Sequence, residues 1–92
     1  MKVITVVLNF NSLKYISGCL DSLKKTNTEI VLVDSGSRDR SVEYLKTNYS
    51  ELKLTETKKN LGYAGGNNVG LRYALEQKAD FVWIVNPDIV VD

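Results

Sequence analysis

VITVVL, residues 3–8, is almost unbroken in its apolar, β-branched character, and it gives way abruptly to Asn9, Phe10, Asn11 and Ser12. A strand with one face in water would alternate apolar and polar residues. A short, nearly continuous apolar run is what a strand carries when both of its faces are covered, as in a parallel sheet. The signature returns in EIVLV (29–33) and FVWIV (81–85). A weaker version stands in ELKLTET (51–57), where Leu52 and Leu54 alternate with polar residues as an edge strand would. Helical spacings lie between these runs. Leu13, Ile16, Leu20 and Leu23 recur at intervals of three and four behind Ser12, a plausible N-cap, with Gly18 as the weak position. Val42 and Leu45 mark a shorter helix over 41–48. Leu71, Ala74 and Leu75 mark the buried face of a third helix, starting near Asn67.

Strands and helices in strict alternation predict an α/β fold: three αβα layers around a parallel sheet of about four strands, Rossmann-like in organisation. Right-handed crossovers and the edge pattern of ELKLTET give the spatial order 3-2-1-4, with the first strand central, flanked by the second and fourth. Ninety-two residues suffice for one small domain, and neither an internal repeat nor a linker divides them.

Composition narrows the function. A net charge of +1 supplies no electrostatic reason to expect nucleic acid or an acidic membrane as partner. The chain has no histidine, which removes His-based triads and His-ligated zinc. Its one cysteine, Cys19, excludes an internal disulfide, fits a reducing compartment, and reads as helix packing. The run at 3–8 is too short for a secretory leader and no stretch approaches a membrane span, so a soluble, cytoplasmic protein is expected.

Ligands of open parallel sheets bind outside the carboxyl ends of the strands. Here those ends are NFNS (9–12), DSGSRD (34–39) and NPD (86–88), polar segments after greasy strands, all directed to one rim. Asp34 either accepts hydrogen bonds from a base N–H or a ribose hydroxyl, or caps the turn at Gly36. Asp88 either faces a metal ion bound to phosphates or completes an N-P-D turn. The glycine-rich block NLGYAGGNNVG (60–70) joins the edge strand to the third helix. Its glycines either admit an anion to a helix N-terminus or close a tight loop against the sheet. It is neither a Walker A loop nor a G-x-G-x-x-G fingerprint after the first strand.

Four blocks taken together, VVLNFNS, IVLVDSGSRDRS, NLGYAGGNNVGL and ADFVWIVNPDIVV, resemble the nucleotide-sugar-binding half of a family 2 glycosyltransferase with the GT-A fold, particularly its rhamnosyltransferase-like branch. The resemblance implies inverting transfer of a sugar from a nucleotide diphosphate donor, UDP- or dTDP-linked, to an acceptor hydroxyl. It implies that Asn9 and Asn11 frame the base and that Asp34, with Ser35 and Gly36, meets the base or ribose. Asn60, Gly62, Gly66 and Asn67 would lie beside the nucleotide. The Asp-x-Asp metal motif would fall at NPD, with Asp88 as ligand to Mg²⁺ or Mn²⁺ and Asn86 in place of the first acid. Complete enzymes of this kind have a second half that binds the acceptor and supplies the general base. The chain therefore reads as a truncated donor-binding half without a catalytic residue of its own, prone to self-association through the exposed edge at FVWIVNPDIVV. A non-catalytic nucleotide-binding or interaction module, and a dinucleotide-binding Rossmann-type fragment, are the competing readings.

Overall fold

The structure, a computed structural model, describes residues 1–87, the side chain of Tyr63 excepted. Seven elements alternate along the chain: β1 (Val3–Asn9), α1 (Leu13–Leu23), β2 (Glu29–Asp34), α2 (Ser41–Asn48), β3 (Lys53–Glu56), α3 (Gly62–Glu76) and β4 (Phe81–Val85). The four strands form one parallel sheet in the order β3-β2-β1-β4. β1 is central, which accounts for its uniform apolar character: from Ile4 to Asn9 every residue is buried. β3 is the short, half-exposed edge that its alternation predicts.

Two cores flank the sheet. On one face Val7, Ile30, Leu32 and Val85 meet Ile16, Cys19, Leu20 and Leu23 of α1, with Leu45 of α2 and Tyr49 beyond it. On the other, Ile4, Val6, Leu8, Val31 and Val33 are covered by α3 through Ala74, with Val69 and Tyr73 at its margin. Cys19 is buried as packing, and its burial pushes the thiol pKa up. No helix among the described residues is long and apolar enough to cross a membrane.

Four expectations need correction. α3 begins at Gly62 rather than near Asn67, so most of the glycine block is helix. The reason is packing. A Cβ on Gly66 would collide with Leu8 Cδ1, and one on Gly70 with Val6 Cγ1, so these two glycines let the helix axis approach β1 more closely than any side chain permits. Leu75 lies on the solvent side of α3 and is 74% exposed, while Ala74 carries the contact. Leu13 is likewise exposed rather than part of the core. Ser12 does stand at the N-cap of α1, yet its hydroxyl donates to the Phe10 carbonyl at 3.2 Å. The capping acceptor is Asp39, 26 residues away, whose Oδ2 takes the Leu13 N–H at 2.9 Å.

Candidate functional site

Parallel register brings Asn9 level with Asp34 and Asp34 level with Glu56, so the loops after β1, β2 and β3 emerge side by side. Hydrogen bonds then sew them together. Asn9 is completely buried, and its Nδ2 lies 2.9 Å from Asp34 Oδ1, 2.8 Å from Ser41 Oγ and 3.2 Å from Ser37 Oγ. Asp34 Oδ2 accepts the Ser37 N–H, and Ser41 Oγ donates to Asp39 Oδ1. Burial pushes the Asp39 carboxyl up, but donors from the Ser41 hydroxyl and from the Leu13 and Ser41 N–H groups outweigh it and hold the pKa below the usual carboxylate range.

Asn11 stitches the same two loops from above. Its backbone is left-handed, its N–H donates to Ser37 Oγ at 2.8 Å, and its Oδ1 accepts the Arg38 N–H at 2.7 Å. The third loop is tied in through Thr57, whose N–H donates to the Asp34 carbonyl, and through Leu61, whose N–H donates to the buried Ser35 hydroxyl. Gly36 makes this crossing possible. It has φ +75, and a Cβ there would stand 2.8 Å from the Lys59 carbonyl carbon and 2.9 Å from the Asn60 nitrogen. Only glycine meets both demands. Asn60 Oδ1 then accepts the Gly62 N–H at 2.8 Å, fixing the entry to α3.

Two small cavities open on this rim, about 110 Å³ and 150 Å³. The first is lined by Leu8, Phe10, Ser35, Asn60 and Gly62. The second adds Asn11, Ser12, Tyr15, Asn86 and Pro87 to the shared pair Leu8 and Phe10. Phe10 therefore divides one cleft over the end of β1, and the residue is 37% exposed. A third opening, about 460 Å³, lies on the other side of Asp34 and Gly36 toward β3.

Of the residues singled out in the sequence, Asn11, Ser35, Asn60, Gly62 and Asn86 line the Phe10 cleft, and Asp34 and Gly36 line the outer cavity. Asn9, Gly66 and Asn67 line none of the three. Asn9 is consumed in holding the loops, and Gly66 lies beneath Leu8, the floor of the cleft. Asn67 Oδ1, like Asn86 Oδ1, is buried without a hydrogen-bond partner among the described residues. Asp88 lies outside the described residues, and among those described no three acidic or cysteine side chains gather as a metal site would require. Phe10 is the residue that reading the sequence missed. Its signal was an apolar ring set between two asparagines immediately after a buried strand, where nothing in the core requires one.

Known proteins resemble this chain in sequence and in fold. Residues 4–92 match the family profile described as Glycosyl transferase family 2. A low-salt glycan biosynthesis hexosyltransferase, Agl10 of Haloferax volcanii, is 26% identical over 88 residues, 95% of this chain and 28% of its own length. The poly(ribitol-phosphate) β-N-acetylglucosaminyltransferase TarS of Staphylococcus aureus is 34% identical over 96 residues, 96% of this chain and 16% of that protein. A crystal structure of S. aureus TarS 1–349 in complex with UDP superposes with a TM-score of 0.79 at 32% identity, covering 96% of this chain and 28% of that one. The chain thus spans less than a third of the relatives it matches. Four parallel strands in the order 3-2-1-4, flanked by helices, form the GT-A-like α/β fold, and with a family match running from β1 through β4 the chain belongs to glycosyltransferase family 2.

Proposed function

We propose that this chain is the donor-binding part of a glycosyltransferase and takes the nucleoside diphosphate of a nucleotide sugar in the Phe10 cleft. The observation that carries this reading is the cleft itself: an exposed aromatic face at the carboxyl end of the central strand, walled by amides and hydroxyls that the loop network holds in place. Phe10 offers a stacking surface for a base. Asn11 and Asn60 each accept a backbone N–H at Oδ1, which fixes the amides and leaves both Nδ2 groups as donors for base carbonyls or diphosphate oxygens. Asp34 and Asn9 act one layer below by fixing the loops. UDP is the favoured nucleotide, since a UDP complex is the form in which the superposed TarS structure was solved; dTDP is the alternative.

The finer reaction is an inverting transfer to an acceptor hydroxyl, with a rhamnosyl or other hexosyl donor. Mg²⁺ or Mn²⁺ would assist by neutralising the diphosphate. Mg²⁺ is commonly held through one or two carboxylates and substrate phosphates, so Asp88 alone suffices on the protein side. Copies of the chain would associate through the outer edge of β4, an edge strand that carries no charge and exposes Phe81 and Trp83.

Calorimetric titration with UDP, dTDP and GDP, with and without Mn²⁺, tests the reading. Expected is saturable binding of UDP that Phe10→Ala weakens at unchanged melting temperature, and a metal effect that Asp88→Ala removes. Absence of binding for all three nucleotides would overturn it. Sedimentation showing a strict monomer at high concentration would overturn the association.

A further inference from the structure

Helices α1 and α2 both start without a cap of their own. Ser12 and Arg40 stand at the two N-cap positions, and neither side chain makes a capping hydrogen bond. One carboxylate serves both ends. Asp39 Oδ2 takes the N–H of Leu13, the first residue of α1, at 2.9 Å, and its Oδ1 takes the N–H of Ser41, the first residue of α2, at 3.0 Å. A carboxylate is favoured at a helix N-terminus, and here the two oxygens of one group clamp two helix starts together.

The clamp is tied to the buried network beneath it, and the tie has a direction. Asn9 Nδ2 can only donate, so at Ser41 it meets the lone pairs of Oγ, and the Ser41 hydroxyl hydrogen goes on to Asp39 Oδ1. Asp39 thus joins the ends of β1 and β2 to the start of α1. That start carries one wall of the cleft: Asn11, Ser12 and Tyr15 line the cavity of about 150 Å³ beside Phe10. Asp39 itself lines none of the three cavities on the rim.

We propose, on the donor reading of the Phe10 cleft, that Asp39 is a positioning residue for the nucleotide: through the starts of α1 and α2 it holds the Asn11–Tyr15 wall in place against Phe10. Asparagine cannot stand in for it. An amide has one acceptor oxygen, so one of the two helix starts would face an NH₂ group instead. The wall would then be displaced part of the time, and apparent affinity falls with the fraction of molecules that keep the binding arrangement.

The full chain is titrated with UDP by calorimetry, at a temperature where circular dichroism shows each variant folded, and is melted in parallel. Asp39→Asn should bind UDP about tenfold more weakly, the loss expected when the held arrangement is populated a tenth of the time. Ser41→Ala, which cuts the tie to Asn9 but leaves the carboxylate, should also bind more weakly than wild type. Tyr49→Phe is the comparator. It removes a hydrogen bond to Asp21 at the far ends of the same two helices, and should lower the melting temperature while leaving UDP affinity unchanged. A merely structural role for Asp39 would lower stability and spare the affinity of the folded molecules. Either Asp39→Asn or Ser41→Ala, once folded, binding UDP as tightly as wild type would overturn the proposal, and so would an equal loss of affinity in Tyr49→Phe. Should Asp39→Asn give no cooperative melt, Ser41→Ala decides by the same criterion. Failure of wild type to bind UDP would overturn the donor reading and this proposal with it, whereas wild-type binding that the variants leave unchanged would overturn this proposal alone.

Discussion

Replacing Gly70 with alanine should destabilise the fold even though alanine is the better helix former. In an open helix the exchange gains about 1 kcal/mol. At Gly70 the new methyl would drive into Val6 Cγ1, with Cγ2 at 3.0 Å and Cβ at 3.2 Å. Val6 sits on the central strand with no exposed surface, and rotation about χ1 cannot move its Cβ. Relief requires α3 to lift off the sheet, an overpacking that costs roughly 1–3 kcal/mol. Allowing for the helix gain, the net loss should reach up to about 2 kcal/mol, and each kcal/mol lowers the melting temperature of a domain this size by about 4–8 °C. Gly18→Ala is the comparator: that glycine is exposed on α1, nothing lies within 4 Å of its added Cβ, and the variant should gain most of the 1 kcal/mol. Urea denaturation followed by circular dichroism reads both, with unchanged m-values confirming that the native state is what changed. In a Val6→Ala background the penalty at Gly70 should shrink by about 1 kcal/mol, the coupling expected of touching residues. If Gly70→Ala is as stabilising as Gly18→Ala, the close approach of α3 to β1 is not real and the account of the glycine block fails.

Asn9→Ala should cost roughly 1–3 kcal/mol, because it leaves Asp34 and Ser41 buried without their shared donor, and it should weaken nucleotide binding through loop disorder. Because Asp39 has its pKa lowered in the folded state, its contribution is present above about pH 4 and is lost as pH falls through the folded value; Asp39→Asn should therefore flatten the acid limb of the melting curve. Tyr49 is shifted the other way, raised by burial and by the Asp21 carboxylate that accepts its hydroxyl at 2.8 Å. Its contribution is complete below roughly pH 10 and declines at higher pH, a decline that Tyr49→Phe should lack.

The strands were legible because burial on both faces leaves a nearly continuous apolar run, and order 3-2-1-4 followed from one edge-like pattern among them. The start of α3 was not. A glycine that opens a turn and a glycine that admits a neighbouring side chain look identical in one sequence, since both are the absence of a Cβ. Gly62, with φ +71, belongs to the first kind, and Gly66 and Gly70 to the second. Leu75 was misplaced because it lies one position from the stripe that Ala74 marks, whereas Leu13 keeps the spacing of Ile16, Leu20 and Leu23 but is exposed as the first residue of α1, and spacing alone does not say which positions meet the sheet. The Asp39 cap on α1 was out of reach altogether, being a contact between loops 26 residues apart.

The glycine block matters to the site by a route other than contact with ligand. Leu8 rests on Gly66 from above and forms part of the wall of both cavities beside Phe10, so the depth of the cleft is set by how closely α3 approaches β1. Leu8 meets Gly66 with the far end of its side chain, whereas Val6 meets Gly70 with atoms at and next to its branched Cβ; the same helix–sheet contact can therefore give more at Leu8 than at Val6. A bulkier residue at Gly66 would push Leu8 upward into the space a base would occupy, at little cost to the core. On the proposed reading, stability and nucleotide affinity would thus be carried by neighbouring glycines on one helix face, four residues apart, which meet Leu8 and Val6 of the central strand.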